Sequence, residues 1–273
     1  MELGFNCIRT IYDIGGQLHL AVTLEDQAAR DKSGRIYLDE FCSTHDVPLI
    51  KIKHVNDAAV LEAVAKHQID WLFIVGWSQI AGADVLKAPT RGCIGIHPTL
   101  LPIGRGRAPI PWAIIKGLEK TGVTMFVLDE GVDTGPIIAQ EELPIAANET
   151  ATSLYKRVAD AHSDLIRNNW LPLVNDTVIQ RAQNDAAATE WPGRRPEDGR
   201  IRSDMTVAEV DRLVRGVTRP YPGAFYESDG GILRVWAGQA TDTMSEDDVN
   251  RYRSIRLCDG IYRAEDWDWV DGN

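Results

Sequence analysis

The 273-residue sequence has no long apolar run. A membrane-spanning helix needs roughly 20 consecutive apolar residues, and no stretch approaches that length, so no membrane partner is expected. The N-terminus lacks the basic flank and apolar core of a secretory signal, and a cytoplasmic protein is expected. Cysteine is scarce. Cys7, Cys42, Cys93 and Cys258 are scattered, with no Cys-x-x-Cys pair. This pattern excludes a disulfide framework and points to free thiols in a reducing compartment, buried or inert. No metal site is expected. Positive charge is in deficit: 29 Lys and Arg face 40 Asp and Glu, a formal net charge of -11. From residue 201 to 273 there are nine Lys/Arg against fourteen Asp/Glu. A protein that grips nucleic acid needs a basic face to neutralise phosphates. None is visible, so no nucleic-acid partner is expected. Internal repeats and low-complexity tracts are also absent.

What is present is ordinary for a globular chain: 44% hydrophobic and 25% charged residues. The length suits one full α/β domain plus a small appendage. Residues 18–24, 48–52, 71–75, 92–97, 123–128 and 137–143 read as strands. The run at 71–75 is continuously apolar and ends at Gly76, which suits a strand covered on both faces. Residues 36–44, 57–67, 109–117 and 150–173 read as helices. Val60, Leu61, Val64 and Ala65 keep helical spacing in the second of these. Strands alternating with helices predict an α/β fold, doubly wound around a mostly parallel sheet. Its ligand should lie beyond the C-terminal ends of the strands. Residues 183–203, rich in Ala, Gly, Pro and charge, read as a linker. A helix at 207–217 and a hairpin of 223–227 with 232–238 follow. The expected domains are therefore 1–182, a linker at 183–203, and a small β-rich subdomain at 204–273. Residues 1–11 read as a helix with Leu3, Cys7, Ile8 and Ile11 on one face. A doubly wound domain normally opens with a strand, and here none precedes the first helix.

The densest chemical signal is Ile94-Gly-Ile-His-Pro-Thr-Leu-Leu-Pro102, then Gly104-Arg-Gly-Arg-Ala-Pro109, then Leu128-Asp-Glu-Gly-Val-Asp-Thr-Gly-Pro-Ile-Ile138. His97 sits where a strand ends and the chain turns at Pro98. A loop with two glycines and two arginines offers N–H groups and guanidinium forks to an anion. Asp133 sits in a glycine-flanked turn between two strands. A histidine with a carboxylate that orients and charges it is a general acid/base pair. Taken singly, each element has a bland reading: a structural histidine, a turn aspartate and a solvated loop.

Together, in this order, they resemble the folate-dependent formyltransferase family, which includes methionyl-tRNA, glycinamide ribonucleotide and sugar N-formyltransferases. The family pattern is Asn-x-His followed by Ser/Thr-Leu-Leu-Pro, an Arg-Gly loop and Asp-x-Gly. His97, Thr99-Leu-Leu-Pro102, Arg105-Gly106 and Asp133-Thr-Gly135 match it. The segment Arg215-Gly-Val-Thr-Arg-Pro-Tyr-Pro-Gly-Ala-Phe225 resembles the family's C-terminal subdomain, so most of the chain is covered. Two departures stand out. The family's asparagine, a donor to the formyl oxygen, is Gly95 here. The family's first strand, central in its sheet, has no counterpart before Leu3.

The resemblance implies Rossmann-like architecture, 10-formyltetrahydrofolate as formyl donor, and a small-molecule amine as acceptor. The amine attacks the formyl carbon, and His97 takes its proton, directly or through water, with Asp133 holding the imidazole. An oxyanion donor typically contributes ~3 kcal/mol, so replacing the asparagine matters. Charged His97, or the Trp77-Ser-Gln79 loop, is a candidate substitute. In the family this loop lines the folate pocket, which assigns Gly76, Trp77, Ser78, Gln79 and Ile80, with Asp133, to the cofactor. Thr99, Arg105, Gly106 and Arg107 are assigned to the substrate, and the Lys32-Ser-Gly-Arg35 loop is a further cation source for a nucleotide diphosphate. A nucleotide-linked amino sugar is the first-choice acceptor. An amino acid or hydroxylamine in siderophore or antibiotic assembly is the alternative. Methionyl-tRNA is disfavoured by the acidic C-terminal part. A non-catalytic folate- or sugar-nucleotide-binding relative is the non-enzyme reading. A homodimer through the C-terminal part stays open. The missing strand implies a gap beside residues 18–24 and 71–75 that an upstream strand, ending in a glycine-rich turn, would fill.

Overall fold

The structure, a computed structural model, describes residues 2–27, 36–228, 230–243 and 251–271. The Lys32-Ser-Gly-Arg35 loop lies outside them. The chain opens with α1 (Glu2–Asp13), β1 (Ala21–Leu24), α2 (Asp39–Thr44), β2 (Leu49–Ile52), α3 (Ala58–Lys66) and β3 (Trp71–Ile74). It continues through α4 (Ala83–Lys87), β4 (Gly92–His97), the two-residue β5 (Arg105–Gly106), α5 (Pro109–Ile115) and β6 (Lys120–Val127). Next are β7 (Ile137–Pro144), α6 (Ala151–Val174), β8 (Glu190–Trp191) and α7 (Val207–Val217). Four strands close the chain: β9 (Ala224–Ser228), β10 (Gly231–Thr241), β11 (Arg253–Arg256) and β12 (Ile261–Asp271).

The chain forms two compact units, and it passes between them more than once. The first comprises residues 1–105, 122–141 and 158–189, and the second comprises 106–121, 142–157 and 190–273. The segment expected as a linker is thus divided between them after Thr189. It carries short 3-10 turns at Asp185–Ala187 and Pro196–Gly199 rather than open coil.

The first unit has the expected α/β architecture. Strand β1 pairs with β2 in parallel, and β3 pairs with β4 in parallel. The β4 strand then meets β6 antiparallel, with His97 opposite Thr124, and β7 borders β6. Strand β4 is buried from Cys93 onward, as a strand covered on both faces should be. Cys93, Ile94, Val123 and Met125 are fully enclosed. The apolar spacing of α3 buries Val60 and Val64. In α1, Cys7 and Ile11 are buried as their spacing implied, and Thr10 joins them by bonding back to Asn6 O at 2.9 Å. Cys258 departs from expectation: it is exposed, whereas the other three cysteines are buried.

The order of pairing leaves β1 and β3 on the borders of separate sheets, β1-β2 and β3-β4-β6-β7. Among the described residues no strand lies between them. Instead, residues 17–23 of one border and 67–75 of the other line a common groove of ≈ 600 Å³, with Phe5, Ile8 and Trp170 also on its walls.

The second unit is the expected small β-rich body. Its sheet runs β11-β12-β10-β9 and every pairing is antiparallel. Helix α7 starts with a reciprocal cap: Thr206 Oγ1 accepts from Glu209 N at 3.2 Å, and Glu209 Oε2 accepts from Thr206 N at 2.8 Å. Its inner face buries Val210, Leu213 and Val214 against Leu233, Val235 and Tyr262. No described helix is long and apolar enough to cross a membrane.

One core group of the first unit titrates. His162, on α6, is fully buried; its Nδ1–H donates to Val158 O at 2.7 Å and its Nε2 has no protein partner. Burial pushes its pKa from 6.5 down to about 4, the Val158 bond opposing and nearby His97 adding to the drop. The unfolded chain therefore takes up a proton that the folded core refuses.

One outcome follows. Stability due to His162 is fully present above pH 6.5 and is lost as pH falls toward 4. His162→Leu should flatten that loss by roughly 2–3 kcal/mol, read from urea melts at pH 7 and 4.5; equal pH slopes in both proteins would refute the assignment.

Candidate active site

His97 ends β4, and both of its ring nitrogens face acceptors. Nε2 lies 2.8 Å from Gly104 O. A carbonyl can only accept, so Nε2 carries the proton there. Nδ1 lies 3.5 Å from Asp133 Oδ2, with side-chain exposures of 10% and 18%. With its Nε2 proton held by Gly104 O, the ring has Nδ1 left to receive one.

Two loops build this cradle. Residues 98–104 must reverse so that Gly104 returns to the ring, and Gly104 does so at φ 74°. Thr124, facing His97 across the sheet, holds the near part of the loop. Its hydroxyl donates to Thr99 O at 2.7 Å and accepts from Leu101 N at 3.1 Å and Gln140 Nε2 at 2.9 Å. Thr189 holds the far part. Its hydroxyl accepts from Gly104 N at 2.8 Å, its N–H donates to Pro102 O at 3.2 Å, and its carbonyl accepts from Arg105 N at 2.9 Å. The second loop carries Asp133, at φ 54°, a left-handed conformation that aspartate tolerates better than most residues. Asp129 Oδ1 supports it by accepting from Gly131 N and Thr134 Oγ1. Gly135 is obligatory, since a Cβ there would lie 1.8 Å from Val127 O.

The other expected residues fall into distinct places. Gly95 is buried in β4. A Cβ on it would meet Leu128 Cδ2 at 2.7 Å and the Phe126 ring at 3.0 Å, so those two side chains occupy the space a side chain would need. The loop from Gly76 to Ile80 leaves β3 at the edge where β4 ends, because Ile74 pairs with Gly95. Gly76 has φ 64°, Ser78 is exposed and Ile80 is 76% exposed. Gln79 staples the loop from within. Its Oε1 accepts from Val55 N and Trp77 Nε1, and its Nε2 donates to Lys53 O. Thr99 is 1% exposed and its hydroxyl has no partner, so it faces the interior rather than a bound molecule. Arg105 is 6% exposed, its guanidinium bound to Gln183 Oε1 and Asp185 Oδ1. It supports the site from behind and has no open face for a substrate anion. Gly106 and Arg107 belong to the second unit. Gly106, at φ 104°, packs on Trp191 O, and Arg107 is exposed. Thr124, Gln140, Gln183 and Thr189 were not anticipated. Only the proximity of Gln183 and Thr189 to the matched segments in space, not in sequence, marks them.

The sequence matches the formyl transferase family over residues 22–169 and the C-terminal domain of formyl transferases over 194–255. It is 30% identical over 247 residues to a methionyl-tRNA formyltransferase of Lachnospira eligens, covering 90% of this chain and 78% of that one. The fold resembles the methionyl-tRNA formyltransferase of Clostridium thermocellum, with TM-score 0.58, 20% identity, and 93% and 98% of the two chains covered. It also resembles WlaRD, a sugar 3N-formyl transferase, with TM-score 0.69, 17% identity, and 99% and 95% covered. The family match spans more than half of the chain and both of its regions, and it coincides with the segments that build the His97 cradle: the chain belongs to the formyl transferase family and is an N-formyltransferase.

Proposed function

We propose that this enzyme moves a formyl group from 10-formyltetrahydrofolate to the amine of a nucleotide-linked amino sugar, with His97 as the proton acceptor. The observation that carries the chemistry is the buried imidazole between Gly104 O and Asp133. The folate supplies the formyl group on N10. The residues present fit it: Ser78 and Ile80 are open at the strand edge beside His97, offering a hydroxyl and an apolar contact to a flat heterocycle. As the amine attacks, a bond from its nitrogen to the formyl carbon replaces that carbon's bond to folate N10. The proton lost by the amine passes to Nδ1 of His97, directly or through one water, and is returned to N10 as tetrahydrofolate leaves. Between the two transfers Asp133 faces a positive ring, and Gly104 O keeps the ring from turning. A positioned acid/base group of this kind contributes ~100-fold or more.

Charge supports a small acceptor. In the second unit Arg202, Arg215, Arg219 and Arg263 each pair with a carboxylate, Asp204, Asp211, Asp266 and Glu265 respectively. With nine basic against fourteen acidic residues from 201 onward, this region suits a small acceptor rather than a polyanion. WlaRD, which has the same fold, is a sugar formyl transferase. The methionyl-tRNA formyltransferase of Lachnospira eligens, at 30% identity, favours a second reading in which the acceptor is methionyl-tRNA.

A panel assay separates the two. Purified enzyme with 10-formyltetrahydrofolate should release tetrahydrofolate with nucleoside-diphosphate amino sugars, and added tRNA should not inhibit. Turnover with methionyl-tRNA alone would overturn the sugar reading. His97→Ala should lower turnover at least ~100-fold while leaving the melting temperature near wild type. A folded variant with near-normal turnover would show that another group takes the proton.

A further inference from the structure

Gln183 lies in a segment whose composition reads as a linker, yet its amide makes four hydrogen bonds inside the candidate site. Its Nε2 donates to the backbone carbonyls of Asp133 at 2.8 Å and Gly135 at 2.7 Å. Its Oε1 accepts from Arg105 Nε at 3.2 Å and Nη2 at 2.8 Å. Carbonyls only accept and guanidinium only donates, so these partners fix which end of the amide is nitrogen. Both N–H groups and both oxygen lone pairs are thereby used.

Each end of this amide holds one wall of the His97 cradle. The nitrogen end grips the turn that presents Asp133, at the carbonyls of Asp133 and Gly135. The oxygen end grips Arg105, which follows Gly104 in the chain, and the Gly104 carbonyl is the acceptor on His97 Nε2. Arg105 is held from its other side by Asp185 at 2.6 Å, on the same short segment. The two acceptors of the imidazole come from different loops, and this glutamine bonds to the turn of one and to Arg105, the residue after Gly104, at the end of the other.

We propose that Gln183 is a positioning residue for His97, setting the spacing between the Asp133 carboxylate and the Gly104 carbonyl and so the orientation of the ring. The proposal rests on the reading of His97 as the proton acceptor. Gln183→Met keeps the length and approximate volume and removes both polar ends. Gln183→Glu keeps an acceptor for Arg105 but turns an oxygen toward the Asp133 and Gly135 carbonyls, where a donor is required.

The experiment measures kcat and the KM for 10-formyltetrahydrofolate in both variants, using the acceptor found active in the panel. It also follows the His97 Nε2–H signal by nitrogen-edited NMR of the labelled full-length protein. Both variants should lose about 10- to 100-fold in kcat, since a displacement near 1 Å costs about 100-fold, with KM changed less than about 3-fold. The Nε2–H signal should shift and lose its slow exchange. A glutamine that only stabilised the fold would lower the melting temperature without moving that signal or kcat. Wild-type kcat and an unchanged signal in either folded variant overturn the proposal, and two different substitutions keep the test open if one does not fold. The underlying reading fails separately: it falls if His97→Ala retains activity, whereas inactive His97→Ala beside fully active Gln183→Met removes only the role of Gln183.

Discussion

A buried imidazole between two acceptors is the constraint around which the first unit is arranged. His97 is 8% exposed, so neither ring nitrogen can rely on bulk water for a partner. A buried polar group left unmet costs about 1–3 kcal/mol. The chain meets this by bringing a carbonyl from residue 104 and a carboxylate from residue 133 to one ring. Both segments are irregular, and irregular backbone near a core needs its own hydrogen bonds. Thr124, Gln140, Thr189 and Gln183 supply them. The side chains that support the site are thus amides, hydroxyls and the Asp129 carboxylate, and the buried cation among them, Arg105, is held by an amide and a carboxylate.

Position 95 shows how packing and chemistry are exchanged at this site. The space beside its Cα is taken by Leu128 and Phe126, so glycine here is a packing residue as well as a departure from the family pattern. Introducing a side chain would require both neighbours to move. Stabilising negative charge on a formyl oxygen is worth about 3 kcal/mol where measured, and residue 95 has no side chain to do it. Gln79 Oε1 takes two bonds, and its Nε2 gives one of its two N–H groups to Lys53 O. The His97 Nε2–H is itself committed to Gly104 O.

Much of the fold was legible because it rests on local pattern. Strand β4 and helix α7 coincide with their sequence ranges, since apolar runs bounded by glycine and a Thr-x-x-Glu cap are local signals. His97 and Asp133 were legible as a pair because each lies in a motif of unusual composition. Gln183 and Thr189 were not. They sit in a polar, proline-bearing stretch whose only local message is the absence of a core pattern, and their partners lie 48 to 87 residues away in sequence. Arg105 was legible as important but not as buried: a GRGR loop reads as an anion site, and only the arrival of Gln183 and Asp185 turns one of its arginines inward. Strands β11 and β12 went unread because Arg and Asp interrupt the alternation that marks a half-buried strand, as in the exposed residues of β12.

The acceptor question turns on which electrostatic scale matters. Exposed Arg–carboxylate pairs are each worth about 0–1 kcal/mol, so Arg202 or Arg219 would exchange its carboxylate for a phosphate at little cost. Pairing by itself therefore does not bar a nucleic acid. The field does. A polyanion engages many phosphates at once, and each must approach a region in which acidic residues outnumber basic ones by five, fourteen against nine. Repulsion summed over that many charges opposes both approach and residence. A nucleoside diphosphate presents only one short anionic group, and one or two local cations suffice to neutralise it. The proposed acceptor rests on this difference: an excess of acidic residues weighs more heavily against a long anion than against a nucleoside diphosphate.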